Sequence, residues 1–231
     1  MSCSAVPAAT PAQQTVALVH DAAVLGVALT EHDALRLLQL LQELARWNRR
    51  FNLTAIRHGP DMVTHHLLDS LAVSRYLQGD TVADVGTGAG FPGLPLALVN
   101  PERRFTLIDS NGKKIRFVCH ALRTLGLVNV ETLQARVEAL RPDRPFDTVV
   151  ARAFAPLPEM LELIAPLCGP HTRVLALKGR RPAEEIAALP AGWQAQLHPL
   201  TIPGLGEERC VIVLNALPLW SPPPAATPWS L

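Results

Sequence analysis

Residues Ala83 to Gly93 read ADVGTGAGFPG, with four glycines in eight positions directly after an apolar run. A backbone this bare is suited to approach a ligand closely. Gly88, Gly90 and Gly93 satisfy GxGxxG, and Asp109 follows at roughly the spacing from which a carboxylate grips the ribose of a dinucleotide. Two residues oppose a pyrophosphate there. Asp84 places a carboxylate just before Gly86, which repels a doubly charged group in a partly dry site. Pro92 has no N–H and removes a donor from the nest that phosphate needs. A cationic ligand without phosphates suits the pattern better, and S-adenosylmethionine is one, with its sulfonium, ammonium and adenosine. A dinucleotide and a ligand-free turn are the alternatives. The donor-binding candidates on this reasoning are Asp84, Gly86, Gly88, Gly90 and Asp109, with Asp109 accepting from the ribose hydroxyls. Glu138 or its neighbouring backbone would meet the adenine edge.

The acceptor is approached by exclusion. Enzymes that methylate the exocyclic amine of adenine carry an Asn/Asp-Pro-Pro-aromatic motif after the fourth strand, where this chain has ARAFAPLP. Attack at C5 of a pyrimidine needs a cysteine nucleophile, and Cys3, Cys119, Cys168 and Cys210 are not placed for it. An acceptor that is already nucleophilic at neutral pH is left. Guanine N7 fits, since its lone pair is free and no proton must leave first. Proximity and alignment would then carry the reaction, with no catalytic side chain. A nucleic-acid partner requires local basic charge. The candidates are Arg49-Arg50 and Arg57, Arg103-Arg104, Lys113-Lys114 with Arg116, and Lys178 with Arg180-Arg181. His65 and His66 lack a metal-spaced partner and are expected on an ordinary helix surface, and Asp69 one turn on is expected to cap or pair locally. Arg152 has a structural alternative as the ion-pair partner of Asp84.

The elements that must position these groups alternate. TVADV, FTLID, VETLQ, FDTVVA and RVLALKG read as five strands with helices between them over Leu94–Val99, Lys113–Leu125 and Glu159–Leu167. Such alternation builds a doubly wound parallel α/β sheet, with ligands beyond the carboxyl ends of the strands. WQAQLHPL and ERCVIVLNAL read as an antiparallel pair at the sheet edge. Upstream, Thr30 and Asp33 read as a capping box, followed by a helix whose face carries Leu35, Leu38, Leu41, Leu44, Ala45, Trp47 and Phe51. A second helix is expected from Asp61 to Leu77, with Val63, Leu67, Leu71 and Ser74 inward. The expected organisation is a flexible start (1–25), a helical cap (26–79), a catalytic domain (80–216) and a Pro-rich flexible tail (217–231).

With 48% apolar and 18% charged residues and a net charge of +1, the 231-residue chain has globular composition and any basic surface must be local. It has no long uncharged apolar run and no secretory signal. The cysteines form neither a CxxC nor a Cys/His cluster, so no zinc site or disulfide framework is expected, and reduced thiols point to the cytoplasm.

DVGTGAGFPGLPLA, FTLIDSNGKKIRFV, VVARAFAPL and LALKG, in that order, resemble the small-subunit ribosomal RNA guanine-N7 methyltransferases, also called glucose-inhibited division protein B. NLTAI and HHLLDSLAV resemble the same family, so the likeness spans roughly Trp47 to Gly179. The resemblance implies a class I (Rossmann-like) methyltransferase with a seven-stranded sheet. It implies transfer from S-adenosylmethionine to N7 of one guanine in 16S ribosomal RNA, and the chain is expected to act as a monomer with neither membrane nor metal. It also implies donor contacts at Gly86, Phe91, Val137, Glu138 and Arg152. A methyltransferase of the same fold acting on a small molecule or protein is the alternative.

Overall fold

Strand β1, Thr81–Val85, buries every residue after its first, as a strand covered on both faces must. Beside it run β2 (Arg104–Asp109), β3 (Val130–Gln134), β4 (Thr148–Arg152) and β5 (Arg173–Lys178), all parallel. Strands β6 (Trp193–Leu200) and β7 (Arg209–Ala216) complete the sheet, with β7 antiparallel to both β5 and β6. The strand order is β3-β2-β1-β4-β5-β7-β6. The order reverses between β1 and β4, which opens a crevice beyond their carboxyl ends. The computed structural model describes residues 10–57, 59–179 and 182–217. The seven expected strands are all present, and the edge pair is antiparallel as expected.

The upstream helices are α1 (Pro11–Val24), α2 (Glu31–Phe51), α3 (Gly59–Met62), a π-helical stretch over Val63–Leu68, and α4 (Asp69–Leu71). Those of the sheet layers are α5 (Gly93–Val99), α6 (Gly112–Leu125), α7 (Leu157–Ile164) and α8 (Ala183–Ala187). Strand alternation divides the core. Val82, Leu107, Val150 and Leu175 pack on one face together with cap residues Leu37, Leu44, Leu67 and Leu71. Val85, Ile108, Val149 and Val174 pack on the other, against α7. Cap and sheet therefore share one hydrophobic cluster. Polar bonds reinforce the join, since Arg36 donates to the Leu125 carbonyl and His120 Nε2 lies 2.9 Å from Glu43 Oε2.

Several expectations are corrected. Residues 11–24 are not a flexible start, because α1 is fixed by a reciprocal Thr10–Gln13 capping box and buries Leu18 and Ala22. The Asp33 N–H does donate to Thr30 Oγ1, but the Asp33 carboxylate takes the Thr30 hydroxyl and not the backbone N–H a capping box requires. The inner stripe of α2 is Ala34, Leu37, Leu40, Leu41, Leu44 and Asn48, while Leu35 is 52% exposed and Ala45 and Phe51 face outward. The helix expected over Asp61–Leu77 runs without a gap from Gly59 through the π-helical stretch to Leu71 and ends there, ahead of a separate 3-10 turn over Ser74–Tyr76. Residues 218–231, which include most of the expected tail, lie outside the described residues.

Candidate active site

The glycine turn between β1 and α5 is organised by its own acceptors. The Thr87 N–H donates to the Ile108 carbonyl, Gly88 to Asp109 Oδ2, both Gly90 and Phe91 to the Thr87 carbonyl, and Gly93 to Asp84 Oδ2. A phosphate nest needs such N–H groups turned outward to an anion. Here they are engaged by the protein, in agreement with the sequence argument against pyrophosphate. Gly86 adopts φ +67, and a Cβ on it would lie 2.7 Å from Phe154 Cδ2. Glycine is required there by conformation and by space together.

Asp84 stands behind this turn, 1% exposed. Its Oδ2 accepts the Thr87 hydroxyl at 2.6 Å and the Gly93 N–H at 2.8 Å, while its Oδ1 has no partner among the described residues. Burial pushes its pKa up to about 6, against the opposing pull of Thr87, Gly93 and Arg152. Asp109, 8% exposed, is held at both oxygens, by the Gly88 N–H at 3.0 Å and the Asn111 N–H at 2.8 Å, with Lys114 Nζ 3.6 Å away.

A cleft of about 400 Å³ lies over these carboxyl ends, lined by Gly86, Asp109, Val137, Glu138, Ala153 and Phe154 among others. Four expected donor contacts, Gly86, Asp109, Val137 and Glu138, thus come together on one wall. The remaining five stand elsewhere. Asp84, Gly88 and Gly90 shape the turn from within. The Phe91 side chain is 2% exposed and stacks on His66 with centroids 4.7 Å apart, so it packs rather than facing the cleft. Arg152 lines a second cavity of about 370 Å³ with Ile56, His65, His66, Asp69 and Arg209. Ala153 lines both cavities and holds a left-handed φ of +49, a strained conformation for a residue with a Cβ.

The second cavity was the part missed. Arg152 pairs with Asp69 at 3.2 Å and donates to the His65 carbonyl, so its acidic partner is not Asp84. Arg209 meets the other Asp69 oxygen at 3.4 Å. His66 is only 5% exposed, in contrast to the surface position expected for it. Burial first, then Arg152 and His65, lower its pKa to about 3, which leaves it neutral. The π-helical stretch presents His65 and His66 side by side, and such stretches recur at functional sites. Lys178 also lines this cavity, but its ammonium is engaged by the Ala155 carbonyl at 3.0 Å and Glu185 at 2.8 Å. Arg49 and Arg50 are exposed on the last turn of α2, and Arg180 and Arg181 lie outside the described residues. Among the described residues there is no His/Cys/Asp/Glu cluster able to hold a metal, and no helix is long and apolar enough to cross a membrane.

Residues 33–213 match the family model for rRNA small subunit methyltransferase G. Proteins named ribosomal RNA small subunit methyltransferase G are similar over most of their length. The one from Pseudomonas aeruginosa LESB58 is 46% identical over 86% of this chain and 94% of its own. The one from Methylococcus capsulatus is 52% identical over 75% and 85%. Among solved structures, a SAM-dependent methyltransferase from Aquifex aeolicus aligns with a TM-score of 0.51 at 22% identity, over 67% of this chain and 93% of that one. TrmN from Thermus thermophilus aligns with 0.52 at 26%, over 74% and 53%. With its seven-stranded sheet, its glycine turn held by the protein's own acceptors and a family match that covers cap and sheet together, the chain belongs to the rRNA small subunit methyltransferase G family.

Proposed function

We propose that the protein transfers the methyl group of S-adenosylmethionine to N7 of one guanine in 16S ribosomal RNA. The observation that carries this reading is the pair of cavities meeting at Ala153, one walled by Gly86, Asp109 and Glu138, the other by cap and sheet residues together. At the wall of the first, Gly86 leaves the backbone bare, where a Cβ would instead collide with Phe154. When bound, S-adenosylmethionine supplies an electrophilic methyl group on a sulfonium.

The residues of the chain then bind and align. Asp109, its orientation set by two backbone N–H groups, offers its remaining lone pairs to the ribose hydroxyls. The Val137–Glu138 turn faces the adenine, and the backbone at Gly86 passes along the amino-acid end. The second cavity receives the base. Guanine N7 needs no general base, so the contribution of the protein is to hold the ring nitrogen in line and exclude water. Arg49 and Arg50, exposed at the end of α2, contact phosphates; Arg180 and Arg181 are assigned the same role from sequence. Lys178 is a weaker candidate, since it is already paired. The protein works as a cytoplasmic monomer on this reading.

The test is incubation with methyl-labelled donor and small ribosomal subunits, free 16S RNA, or a metabolite and protein extract. Label in the RNA, released by N7-selective strand cleavage, is the expected result. Label that enters only small molecules or protein would overturn the reading.

A further inference from the structure

Among the described residues, Phe51 is the only Phe, Tyr or Trp that stays exposed, at 39%. It closes α2, where a hollow of about 420 Å³ is lined by Glu43, Arg46, Trp47, Arg49, Arg50 and Phe51. The Phe51 ring rests on Trp47 with centroids 5.4 Å apart, and Trp47 is itself held by Phe117 and His120 of α6. Charge around the ring is one-sided. Arg46, Arg49, Arg50 and Arg57 are exposed, and the carboxylate lining the hollow, Glu43, is already shared by Arg46 and His120. Arg57 is tied to this end of the helix by donating to Asn52 Oδ1 at 3.0 Å.

The chain after Phe51 leads into the second cavity. Asn48 grips both backbone groups of Thr54, donating to its carbonyl and accepting its N–H, each at 2.9 Å. Thr54 in turn meets His66, and Ile56 and His66 line the cavity. Ile56 is five residues on from Phe51, so their Cα atoms stand at most about 18 Å apart.

We propose that Phe51 is a stacking platform for an unpaired base of the RNA beside the target guanine, with the surrounding arginines on the adjoining phosphates. This rests on the proposed guanine-N7 chemistry. N7 lies on the major-groove edge of guanine, and in an RNA helix that groove is too deep and narrow for side chains to read. The target must therefore leave its stack, which strips a neighbouring base of a partner. An aromatic ring replaces that partner and accepts any base, since every base has a π-face. Charge alone would suit an acidic protein segment equally. A lone exposed ring set among arginines favours a strand in which flat bases and phosphates alternate.

The experiment titrates the full chain with small subunits reconstituted to carry one abasic nucleotide at successive positions on either side of the target guanine. Native protein, Phe51→Leu and Phe51→Tyr are compared. Leucine keeps an apolar contact with Trp47 and removes the π-face, whereas tyrosine keeps both. Phe51→Leu should raise Kd and KM for intact subunits about tenfold, with kcat and the calorimetric affinity for S-adenosylmethionine unchanged. The slope of log K against log salt should also hold, since no phosphate contact is lost. Phe51→Tyr should bind as the native protein does. For the native protein one abasic position should cost about tenfold, and there Phe51→Leu should lose nothing more. Native-like binding by Phe51→Leu overturns the proposal. So does a loss that is the same wherever the abasic nucleotide sits, which would put a protein segment or internal packing on the ring. Absence of N7 transfer by any form on unmodified subunits would instead overturn the proposed function, whereas the binding loss judges Phe51 alone.

Discussion

Asp84→Asn separates what the buried carboxylate does for ligand binding from what it does for stability. Burial raises the Asp84 pKa from 3.8 to about 6. That rise, at about 1.4 kcal/mol per unit, means the folded chain carries roughly 3 kcal/mol of penalty for the ionised group at pH 8. The sign follows from proton counts. Between pH 3.8 and about 6 the folded state keeps a proton that the unfolded state has released. The penalty is therefore absent below that window, grows as pH rises through it, and is complete above it. Asparagine removes the charge and keeps a carbonyl for Thr87 and Gly93. Its NH2 falls where Oδ1 had no partner, at a cost of about 1–3 kcal/mol. The two effects nearly offset at pH 8, so the ligand-free variant should match the native chain within about 2 kcal/mol or exceed it. At pH 4, where the native carboxyl is neutral, the variant should be less stable by about 1–3 kcal/mol. Donor affinity should behave differently. At an effective dielectric near 20 and a separation of about 6 Å, the charge contributes roughly 3 kcal/mol to a cationic ligand, so the variant should bind about a hundredfold more weakly. Urea unfolding at pH 4 and pH 8, with calorimetry of S-adenosylmethionine, measures both. A stability difference that does not change with pH, or an unchanged donor affinity, would refute the reasoning.

Gly86→Ala should cost about 1–2 kcal/mol of backbone strain and weaken donor binding at least tenfold as its Cβ displaces Phe154. Gly126→Ala is the matched control, because Gly126 has φ +64 with nothing within 4 Å, so a similar loss of stability should leave calorimetric donor affinity intact. Lys178→Met should cost about 1 kcal/mol by releasing Glu185 and leave the salt dependence of RNA binding unchanged, whereas Arg49→Ala with Arg50→Ala should lower the slope of log K against log salt by about two. Leu71→Ala should cost about 2–5 kcal/mol and still unfold in a single transition by fluorescence and circular dichroism alike, since Leu71 belongs to the cluster shared by cap and sheet.

The strands were legible because buried parallel strands are short apolar runs bounded by glycine or by charge, and TVADV and RVLALKG have no competing reading. The inner face of α2 was not legible to the same degree. Its leucine-rich stretch offers two overlapping stripes, and packing against α1, α5, α6 and the π-helical stretch selects Leu37, Leu40 and Leu44 over Leu35. The α1 helix carried its own signal in Thr10-Pro11-Ala12-Gln13, a cap followed three residues later by Gln, but the surrounding Pro and Ala composition suggested a frayed end. Gly86, Asp109 and Glu138 could be placed from strand-end logic, since the ends of parallel strands must converge. His66 and Asp69 could not. Asp69 meets Arg152 across 83 residues, and nothing in the spacing of HHLLDS distinguishes a solvated helix from one turned into a cavity.

The glycine turn shows why a spacing pattern underdetermines a ligand. Gly88, Gly90 and Gly93 satisfy the dinucleotide fingerprint, yet the N–H groups of those residues all end on acceptors within the protein. Beside Lys114 and Arg136, the cleft then offers a ligand the carboxylates of Asp109, Glu138 and Glu159. Acceptors recognise donors and cations, such as ribose hydroxyls, an ammonium and a sulfonium, and they do not recognise phosphate oxygens. Asp84 is what turns the pattern, because the carboxylate that draws the Gly93 N–H inward is the one that makes the turn unfavourable to an anion.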